Sequence, residues 1–253
     1  MKKLLNKTAI VTGAGSGMGK AIAELFAKEG ANVILADINQ EAIETIVAEI
    51  QQEGGKSIAV KANMANENDI EAMVAAAVTT YGKLDILVNN AGIMDNFKPV
   101  GEVDDASWER VIGINLTGPF KAARAAIHIM EKQETGGIII NNASIGGLFG
   151  ARGGAAYVAS KHGLLGLTKN IASTYGTFGK IRCNAIAPGG VKTNIGQTIT
   201  DPSELGYKAI LSTGESIMGV PEQIATIALF LASDESSFIN GDVITADGGW
   251  TAR

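Results

Sequence analysis

The chain is poor in the residues that build disulfides and His/Cys metal sites. Its 253 residues include one cysteine and two histidines, so an internal disulfide is excluded and a metal site made of His and Cys ligands is not expected. Cys183 lies in the apolar run 181–187, which predicts a buried structural thiol. Proline is scarce, with 5 residues against 32 glycines, a balance typical of tight strand-to-helix turns rather than disordered linkers.

Long apolar runs and concentrated positive charge are missing as well. No stretch reaches the roughly 18 uninterrupted apolar residues of a membrane-spanning helix, and the start Met-Lys-Lys-Leu-Leu has too few apolar residues for a signal peptide. The formal net charge is −5 and no run of Lys or Arg stands out, which argues against a nucleic-acid or anionic-membrane partner. We therefore expect a cytoplasmic protein.

Short apolar runs alternate with helical patterns along the chain. The runs predict strands at 9–12, 33–36, 58–61, 86–89, 138–142, 181–187 and 243–246. Helical periodicity predicts helices at 19–29, 41–52, 70–81, 107–132, 155–175 and 221–232. Because strands that are apolar throughout are buried on both faces, the sequence predicts a single α/β domain over residues 1–253, a Rossmann fold with a doubly wound seven-stranded parallel sheet and helices on both faces. Residues 191–218 lack a strand pattern and are expected to form a mobile loop or lid.

A glycine-rich turn follows the first predicted strand. It reads Thr12-Gly13-Ala14-Gly15-Ser16-Gly17-Met18-Gly19 and leads into a helical pattern. Glycines permit a tight turn and a close backbone approach, and the helix N-terminus offers free N–H groups to a pyrophosphate. The position between the first strand and the first helix favours a dinucleotide site over a simple tight turn. We expect cofactor contacts from Gly13, Ser16, Gly17, Met18 and Gly19.

Asp37 ends the second predicted strand, 18 residues after Gly19. A carboxylate there can accept hydrogen bonds from both ribose hydroxyls of an adenosine and would repel a 2′-phosphate. No Arg or Lys lies within residues 31–49 to bind such a phosphate. The pattern predicts NAD(H) rather than NADP(H). Alternatively, Asp37 caps the following helix in a capping box with Gln40.

Two more segments follow predicted strands at the carboxyl edge of the sheet, where ligands of this fold bind. Asn63 and Met64 follow the third strand and are expected to flank the adenine, and Ile38, next to Asp37, is counted as a further cofactor contact. The run Asn89-Asn90-Ala91-Gly92 follows the fourth strand, and its small residues would let the backbone approach the cofactor. An asparagine there can bond neighbouring strands, although the pair alone would also suit a turn with side-chain caps.

Three candidate catalytic residues follow the fifth predicted strand. Ser144 comes directly after it, and Tyr157 and Lys161 lie four apart on a predicted helix, so they share one face. A phenol with its ordinary pKa of about 10 is a poor base near neutrality, and a lysine ammonium one turn away is expected to lower that pKa. The phenol can then exchange a proton with a carbonyl or hydroxyl oxygen, which the Ser144 hydroxyl can hold.

Over essentially its full length the sequence resembles the short-chain dehydrogenase/reductase family, in its NAD-preferring form. The matching segments are Thr12-Gly13-x-x-x-Gly17-x-Gly19, Asn89-Asn90-Ala91-Gly92, Asn115, Ser144, Tyr157-x-x-x-Lys161 and Pro188-Gly189-x-Val191-x-Thr193. The resemblance implies an enzyme that interconverts a secondary alcohol and a ketone by hydride transfer, with Tyr157 as acid and base. The sequence departs from the family at Asn63-Met64, where Asp-Val is frequent, and at Ala246, where Val is usual.

The resemblance also assigns expected roles to individual residues. It implies a catalytic tetrad of Asn115, Ser144, Tyr157 and Lys161, in which Asn115 holds a water beside Lys161 and Lys161 bonds the nicotinamide ribose. The carboxamide end of the cofactor would be held by Pro188, Gly189, Val191 and Thr193. By the same resemblance, the helices at 107–132 and 155–175 would pair across a two-fold axis into a dimer and then a homotetramer.

Three segments, 93–97, 145–152 and 191–218, are expected to bound a substrate pocket. Their apolar side chains are Met94, Phe97, Leu148, Phe149, Ile195, Ile199, Tyr207, Leu211 and Met218. This composition predicts a largely apolar small-molecule alcohol or ketone, unless half of these side chains merely anchor the loops. Arg152 could bind an anionic substrate group, but a solvated surface arginine is the preferred interpretation.

Other functions on the same fold stay open. A catalytically silent NAD(H)-binding regulator would need residues 13–19 and Asp37 but has no use for the tetrad. An epimerase or dehydratase would bind NAD without net cofactor turnover. A 3-oxoacyl thioester reductase would need a basic face for its acidic carrier, whereas the predicted helix after Tyr157 carries only Lys161 and Lys169 as cations.

Overall fold

The computed structural model describes residues 2–252, and its seven strands lie in one parallel sheet. The strands are Thr8–Thr12 (β1), Asn32–Asp37 (β2), Lys56–Lys61 (β3), Ile86–Asn89 (β4), Gly137–Asn142 (β5), Ile181–Pro188 (β6) and Val243–Ala246 (β7). The α-helices are Gly17–Lys28 (α1), Gln40–Gln52 (α2), Glu67–Tyr81 (α3), Asp105–Ile112 (α4), Gly118–Met130 (α5), Ala155–Phe178 (α6), Glu204–Leu211 (α7) and Pro221–Ala232 (α8). The predicted fold class is confirmed.

The strand order opens a crevice at the centre of the sheet. The order is β3-β2-β1-β4-β5-β6-β7, with every pair parallel. The chain runs outward from β1 to β3 and then crosses back to β4 on the other side of β1. Because the connections after β1 and β4 leave toward opposite faces, their carboxyl ends leave room for a ligand between them.

Two apolar layers hold the helices against the sheet. On one face, the core contains Ile22 and Phe26 of α1, Ile43 of α2 and Ile224 of α8. On the other face, α3, α5 and α6 contribute a second core with members such as Ile70, Met73, Met130 and Ile171. The central strand β1 is buried along its whole length, as expected for a strand covered on both faces.

The predicted start of a helix differs from the observed one where the prediction does not account for the capping residue. The prediction begins the third helix at residue 70, whereas α3 begins at Glu67, because the Asn66 side chain accepts hydrogen bonds from the N–H groups of Asn68 and Asp69. Asn39 caps α2 by accepting from the N–H of Ala42. The capping box suggested for Asp37 and Gln40 is therefore absent, since Gln40 is already the first residue of α2.

The single helix predicted over 107–132 is interrupted. Between α4 and α5 lies a π-helical turn, Gly113–Thr117, in which the N–H of Gly118 bonds the carbonyl of Gly113 five residues earlier. Pro119 explains part of the interruption, because it has no N–H to bond the carbonyl of Asn115 four residues before it. Such a turn inside a helix often marks a functional site.

The 191–218 segment contains helical structure that the sequence did not predict. A 3₁₀ turn covers Asn194–Thr198, and α7 follows after Ser203, whose side chain accepts a hydrogen bond from the N–H of Gly206. The segment contributes no strand to the sheet. Its Val191 forms an isolated β-bridge with Gly219, outside the seven strands. Its Thr, Ser and Gly content concealed α7, although Ser203 was a usable cap signal.

Three further findings bear on the kind of protein this is. Cys183 is fully buried, as predicted, and burial raises the pKa of its thiol to about 12. Within residues 2–252, no helix is both long and apolar enough to cross a membrane. The same residues hold no group of three or more His, Cys, Asp or Glu side chains that could bind a metal ion.

Candidate active site

The turn between β1 and α1 has the geometry of a cradle for phosphate. Gly13 and Gly17 have φ angles of +65° and +53°, a region that side chains disfavour. A Cβ on Gly19 would overlap the carbonyl oxygen of Gly13. Ser16 precedes α1 without using its side chain as a cap, and the first turn of α1 contains no acidic residue. The free N–H groups and the positive end of the helix dipole are thus available to an anion.

Asp37 lies at the edge of this cradle. One oxygen of its carboxylate accepts a 2.9 Å hydrogen bond from the N–H of Gly15, and the other accepts one of 2.9 Å from the N–H of Asn39. Both oxygens keep lone pairs free for further donors, since a carboxylate offers about four acceptor sites. The side chain is held in place by the glycine turn itself.

Asn90 bonds the carboxyl ends of three strands together. Its side-chain amide donates to the carbonyl of Thr12 at 2.9 Å, and its Oδ1 accepts from Asn142 Nδ2 at 2.8 Å. The hydroxyl of Thr12 accepts from the backbone N–H groups of Asn90 and Ala91. The strand-bonding role predicted for this asparagine is confirmed, and the alternative of a simple turn cap is not needed.

A cavity of about 560 Å³ joins the cradle to the 191–218 segment. Its lining includes Gly13, Gly15, Ser16, Gly17, Met18, Asp37, Ile38, Asn63, Met64, Asn90, Ala91, Gly92, Thr193, Ile195 and Thr198. Among residues 2–252, no Lys or Arg belongs to the lining. The structure therefore brings most of the predicted cofactor contacts together. A larger groove of about 800 Å³, formed on the surface by α1, α2 and α8, includes none of the predicted site residues.

Asn63 lines the 560 Å³ cavity and lies in a turn that its own side chain stabilises. Its Oδ1 accepts from the N–H of Ala65 at 3.0 Å, and its backbone N–H donates to Asp69 at 2.9 Å. Asn63-Met64 stands where Asp-Val is frequent in the family. Hydrogen bonds within the turn hold Asn63 in place, and Asp69 supplies a carboxylate behind the turn.

Ser144, Tyr157 and Lys161 converge at the carboxyl edge of β5. Tyr157 and Lys161 are both buried on α6, with the Lys161 Nζ 5.6 Å from the centre of the Tyr157 ring. Lys161 Nζ donates a 3.0 Å hydrogen bond to the carbonyl of Asn142, the last residue of β5. The Ser144 hydroxyl interacts with the Tyr157 phenol, and its oxygen accepts from the N–H of Gly146 at 2.9 Å.

Burial governs the acidity of this group. It raises the pKa of the Tyr157 phenol above its ordinary value, with the hydrogen bond from Ser144 acting in the opposite direction. It lowers the pKa of Lys161 to about 8. The lowering of the Tyr157 pKa expected from Lys161 is not found, since Lys161 is not among the causes of the shift and burial outweighs the hydrogen bond from Ser144.

Asn115 lies in the π-helical turn and is fully buried. Its side chain bonds both backbone groups of Ile93, accepting from the N–H and donating to the carbonyl, each at 2.9 Å. A Cβ on Gly92 would lie 3.4 Å from Asn115 Oδ1 and 3.6 Å from Lys161 Nζ. Asn115 thus holds in place the segment after β4 that contains Gly92 and Ile93. This segment lies between the cradle and the Ser144–Tyr157–Lys161 group.

The segment 188–193 follows β6 at the same edge. Pro188 ends that strand, and the N–H of Gly189 bonds the carbonyl of Ala246 on β7 at 3.0 Å. Thr193 packs over the cradle, with its Cβ 3.1 Å from where a Cβ on Gly17 would lie. Thr193 lines the 560 Å³ cavity, whereas Pro188, Gly189 and Val191 lie outside its lining.

Arg152 is not the solvated surface residue that was preferred from sequence. It is half-buried, and its guanidinium lies 4.3 Å from the Trp250 ring centre and 5.8 Å from that of Phe149. Its Nε is buried without a hydrogen-bond partner. The Trp250 indole N–H in turn donates to the carbonyl of Thr213 in the 191–218 segment. Planar stacking on aromatic rings, which sequence spacing cannot reveal, explains the burial.

Only some of the predicted pocket residues are buried together. Phe97 and Tyr207 pack with ring centres 6.2 Å apart, and Met94 is buried. Leu148, Phe149, Tyr207, Leu211 and Met218 remain 38–60% exposed. These five side chains are here called the apolar rim, and exposed apolar side chains of this kind are typical of ligand-binding surfaces.

Sequence reasoning missed Asp95 entirely. Its carboxylate is 2% exposed and accepts hydrogen bonds from the N–H groups of Gly154 and Tyr157 at 2.9 and 2.8 Å. The contact joins residues 59 and 62 positions apart, so no local pattern could have indicated it.

The sequence and the fold are similar to those of known proteins. Residues 13–251 match the family model described as enoyl-(acyl carrier protein) reductase. A 3beta-hydroxysteroid dehydrogenase 2 from Eggerthella lenta is 46% identical over 251 residues, covering 98% of this chain and 96% of the relative. A cyclohexanol dehydrogenase from an Acinetobacter species is 40% identical, covering 99% and 97%.

Solved structures agree with these relatives. Levodione reductase superposes with a TM-score of 0.88 at 34% identity, covering 98% of this chain and 99% of the other. A short-chain type dehydrogenase/reductase from Mycobacterium marinum gives a TM-score of 0.89 at 30% identity, covering 99% and 98%. The chain belongs to the short-chain dehydrogenase/reductase family. It is an oxidoreductase that interconverts a hydroxyl and a carbonyl group with a nicotinamide cofactor.

Proposed function

We propose that this protein is an NAD(H)-dependent dehydrogenase of a largely apolar secondary alcohol, with Tyr157 as catalytic acid and base. The observation that carries the proposal is the convergence of Ser144, Tyr157 and Lys161 beside a cavity lined by the cofactor cradle. A silent regulator would need the cradle alone, so this convergence favours the enzyme over the regulator.

A nicotinamide cofactor with its pyrophosphate on the cradle would supply hydride for reduction and accept it for oxidation. In oxidation, Tyr157 in its phenolate form takes the hydroxyl proton of the substrate as the carbon–hydrogen bond breaks, and this form becomes more populated as the pH rises toward the raised pKa of the phenol. In reduction, the phenol gives that proton back to the carbonyl oxygen. A positioned acid or base of this kind contributes roughly 10²–10⁴-fold in rate. Ser144 donates a hydrogen bond to the same substrate oxygen and stabilises its developing charge.

Lys161 and Asn115 support this proton transfer. Among the described residues, the hydrogen-bond acceptor of Lys161 is the Asn142 carbonyl, so two ammonium hydrogens are left for a ribose hydroxyl and a water. The Asn115 side chain is bonded to Ile93, whereas the backbone carbonyl of Asn115 receives no α-helical bond from position 119, because Pro119 has no N–H. We therefore propose that this carbonyl, rather than the Asn115 amide, holds the water beside Lys161.

NAD(H) is the proposed cofactor because of the charge around Asp37. The carboxylate lies at the cavity, and the cavity lining offers no Lys or Arg to a 2′-phosphate. A 2′-phosphate would meet a negative charge without compensation, whereas ribose hydroxyls can donate to the free lone pairs of Asp37. The proposed contacts of the carboxamide end, Pro188, Gly189, Val191 and Thr193, follow the family pattern at the end of β6.

The substrate proposal rests on the apolar rim and on the named relatives. The relatives act on hydroxysteroids and cyclohexanol by name, and the exposed Leu148, Phe149 and Leu211 suit a ring-shaped apolar molecule. We propose that residues 191–218 close over it as a lid. A 3-oxoacyl thioester reductase from Thermotoga maritima is 38% identical, so an acyl thioester is the competing substrate class.

We also propose that the chain assembles through the face of α5 and α6. Small residues there, Gly163 and Gly166, lie beside Phe120, which is 43% exposed. Small residues let two such helices approach closely across a two-fold axis. A homotetramer, and a single-domain cytoplasmic enzyme, remain predictions that sedimentation and cell fractionation would test.

The experiment is a cofactor and substrate screen followed at 340 nm. NAD and NADP are each paired with cyclohexanol and hydroxysteroids, and NADH and NADPH with cyclic ketones and with an acetoacetyl thioester. Turnover of a cyclic alcohol with NAD supports the proposal. Preferential turnover of the thioester would replace the substrate proposal, and tight NADH binding without any turnover would favour the regulator.

A further inference from the structure

The loop after β4 lies between the Tyr157-bearing helix and the 191–218 segment. Residues 94–98 are here called the 94–98 loop. Adjacent residues of this loop contact α6 and the 191–218 segment. This arrangement concerns the proton-transfer group of the proposed function, but it involves residues that have no part in the family pattern.

Asp95 points toward α6 and caps it. Gly154 is the N-cap residue of α6 and has no side chain with which to cap. Asp95 supplies what is missing, because its two oxygens accept from the N–H groups of Gly154 and Tyr157 at 2.9 and 2.8 Å. The carbonyl of Lys98 accepts from Ala155 N–H at 2.9 Å. Three of the otherwise unpaired donors at this helix start are thus bonded from one loop.

Asn96 points the other way, toward the 191–218 segment. Its Oδ1 accepts from the N–H of Thr200 at 2.8 Å, and its carbonyl accepts from the N–H of Ser203 at 2.9 Å. The N–H of Met94 donates to the Thr198 hydroxyl at 3.0 Å. Movement of residues 198–203 must therefore displace Asn96 or break these bonds.

The backbone between the two sets of contacts is strained. Asn96 and Phe97 both have a φ of +58°, which is uncommon outside glycine. Such conformations persist only where surrounding contacts impose them. Here the contacts come from α6 on one side and from the 191–218 segment on the other.

We propose that Asp95 is a positioning residue for Tyr157, and that the 94–98 loop couples the position of the 191–218 segment to that of the Tyr157 side chain. The loop provides the contiguous path that such coupling requires, from Thr200 through Asn96 and Asp95 to the Tyr157 backbone. The inference rests on the proposed role of Tyr157 as acid and base.

Asp95 also affects the phenol through its charge. The charged and polar groups facing the Tyr157 ring are Lys161 on α6, Ser144 after β5, and Asp95 after β4. Arg152, on the segment before α6, is directed at the Trp250 ring. The negative charge of Asp95 raises the pKa of Tyr157. Asp95→Asn keeps the shape and removes the charge, so the pKa of the phenol should fall.

The first experiment compares Asp95→Asn with Asp104→Asn. Asp104 is the control, because it caps a different helix: it accepts from the Ser107 N–H at 2.7 Å at the exposed start of α4. The phenol pKa is measured by carbon-13 tyrosine NMR on the whole protein without substrate, with the signal assigned by Tyr157→Phe. Cyclohexanol oxidation is measured with NAD across pH.

For Asp95→Asn we expect a lower phenol pKa, a rising limb of kcat displaced to lower pH, and kcat reduced about tenfold to a hundredfold, as for loss of one charged hydrogen bond. Affinity for NADH should change less than twofold, and Asp104→Asn should change none of these quantities. An unchanged phenol pKa and unchanged pH limb would overturn the proposal, even if kcat fell together with the melting temperature.

The second experiment tests the coupling with Asn96→Gly, which removes the side chain but permits the positive φ. Asn96 makes no hydrogen bond to α6, so faster amide exchange at Gly154 and Tyr157 in this variant supports coupling through the loop. Exchange that rises only within 198–203 would overturn it. Amide exchange and the phenol pKa need no turnover, so both can be read even if the wild-type protein oxidises none of the substrates and the proposed function fails.

Discussion

Lys161 Nζ donates a 3.0 Å hydrogen bond to the carbonyl of Asn142 while 4% exposed. The bond joins the middle of the catalytic helix to the end of β5. The remaining ammonium hydrogens have lost much of their hydration, and burial lowers the pKa of Lys161 to about 8. The buried charge of Lys161 reduces the stability of the folded protein. Such a loss of stability is common for groups that are retained because they serve the function.

This burial predicts a pH-dependent gain of stability in Lys161→Met. Since the pKa is lowered in the folded state, the penalty is fully present below about pH 8 and disappears as the pH rises toward the unfolded value of 10.5. At pH 7 we expect the variant to be more stable by roughly 1–2 kcal/mol, after loss of one hydrogen bond. Urea unfolding at pH 7 and pH 10 measures this. A variant less stable than wild type at pH 7 would contradict the account.

The role of Asp37 predicts a change of cofactor preference in Asp37→Asn. The substitution keeps one of the two acceptors that bond the N–H groups of Gly15 and Asn39, and it removes the negative charge that repels a 2′-phosphate. The ratio of kcat/KM with NAD to that with NADP should fall about tenfold to a hundredfold, as for one charged interaction. Glu41→Gln, an exposed carboxylate in the first turn of α2, serves as control. An unchanged ratio in Asp37→Asn would remove Asp37 from this role.

The cradle geometry predicts that Gly19→Ala weakens cofactor binding. The new Cβ would overlap the Gly13 carbonyl oxygen and approach the Asn90 side chain, so the turn would have to open. NADH affinity, measured by fluorescence, should fall at least about tenfold, equivalent to roughly 1.4 kcal/mol. At Gly101 a Cβ would meet nothing within 4 Å, and Gly101→Ala should bind NADH normally. Normal binding by Gly19→Ala would show that the close approach is not required.

Sequence patterns were sufficient wherever the decisive contacts are local or recur in every protein of this fold. The seven strands follow from apolar runs, because each is buried on both faces. The cradle follows from glycines placed between β1 and α1, and the pair Tyr157 and Lys161 follows from helical spacing. The position of Asp37 at the end of β2 identifies it as a candidate for binding the cofactor. The alternative role, capping α2, belongs to Asn39 and not to Asp37.

What could not be predicted depends on contacts between distant segments. Asp95 acts on Tyr157 from 62 residues away, and Arg152 is buried by Trp250 from the C-terminal end of the chain. The pKa of Tyr157 depends on how far the folded protein excludes water, which spacing does not reveal. The break in the 107–132 helix, by contrast, was predictable from Pro119.

The central claim is that Tyr157 transfers the proton, and Tyr157→Phe tests it most directly. The substitution removes one oxygen and leaves the packing of the ring on Gly153 and Gly146 intact. The measurement is NAD reduction by a cyclic alcohol at 340 nm, together with NADH binding by fluorescence on the same sample. We predict a loss of kcat of about 10²–10⁴-fold with NADH affinity unchanged. Retention of more than a tenth of wild-type kcat, with NADH bound normally, would contradict the account.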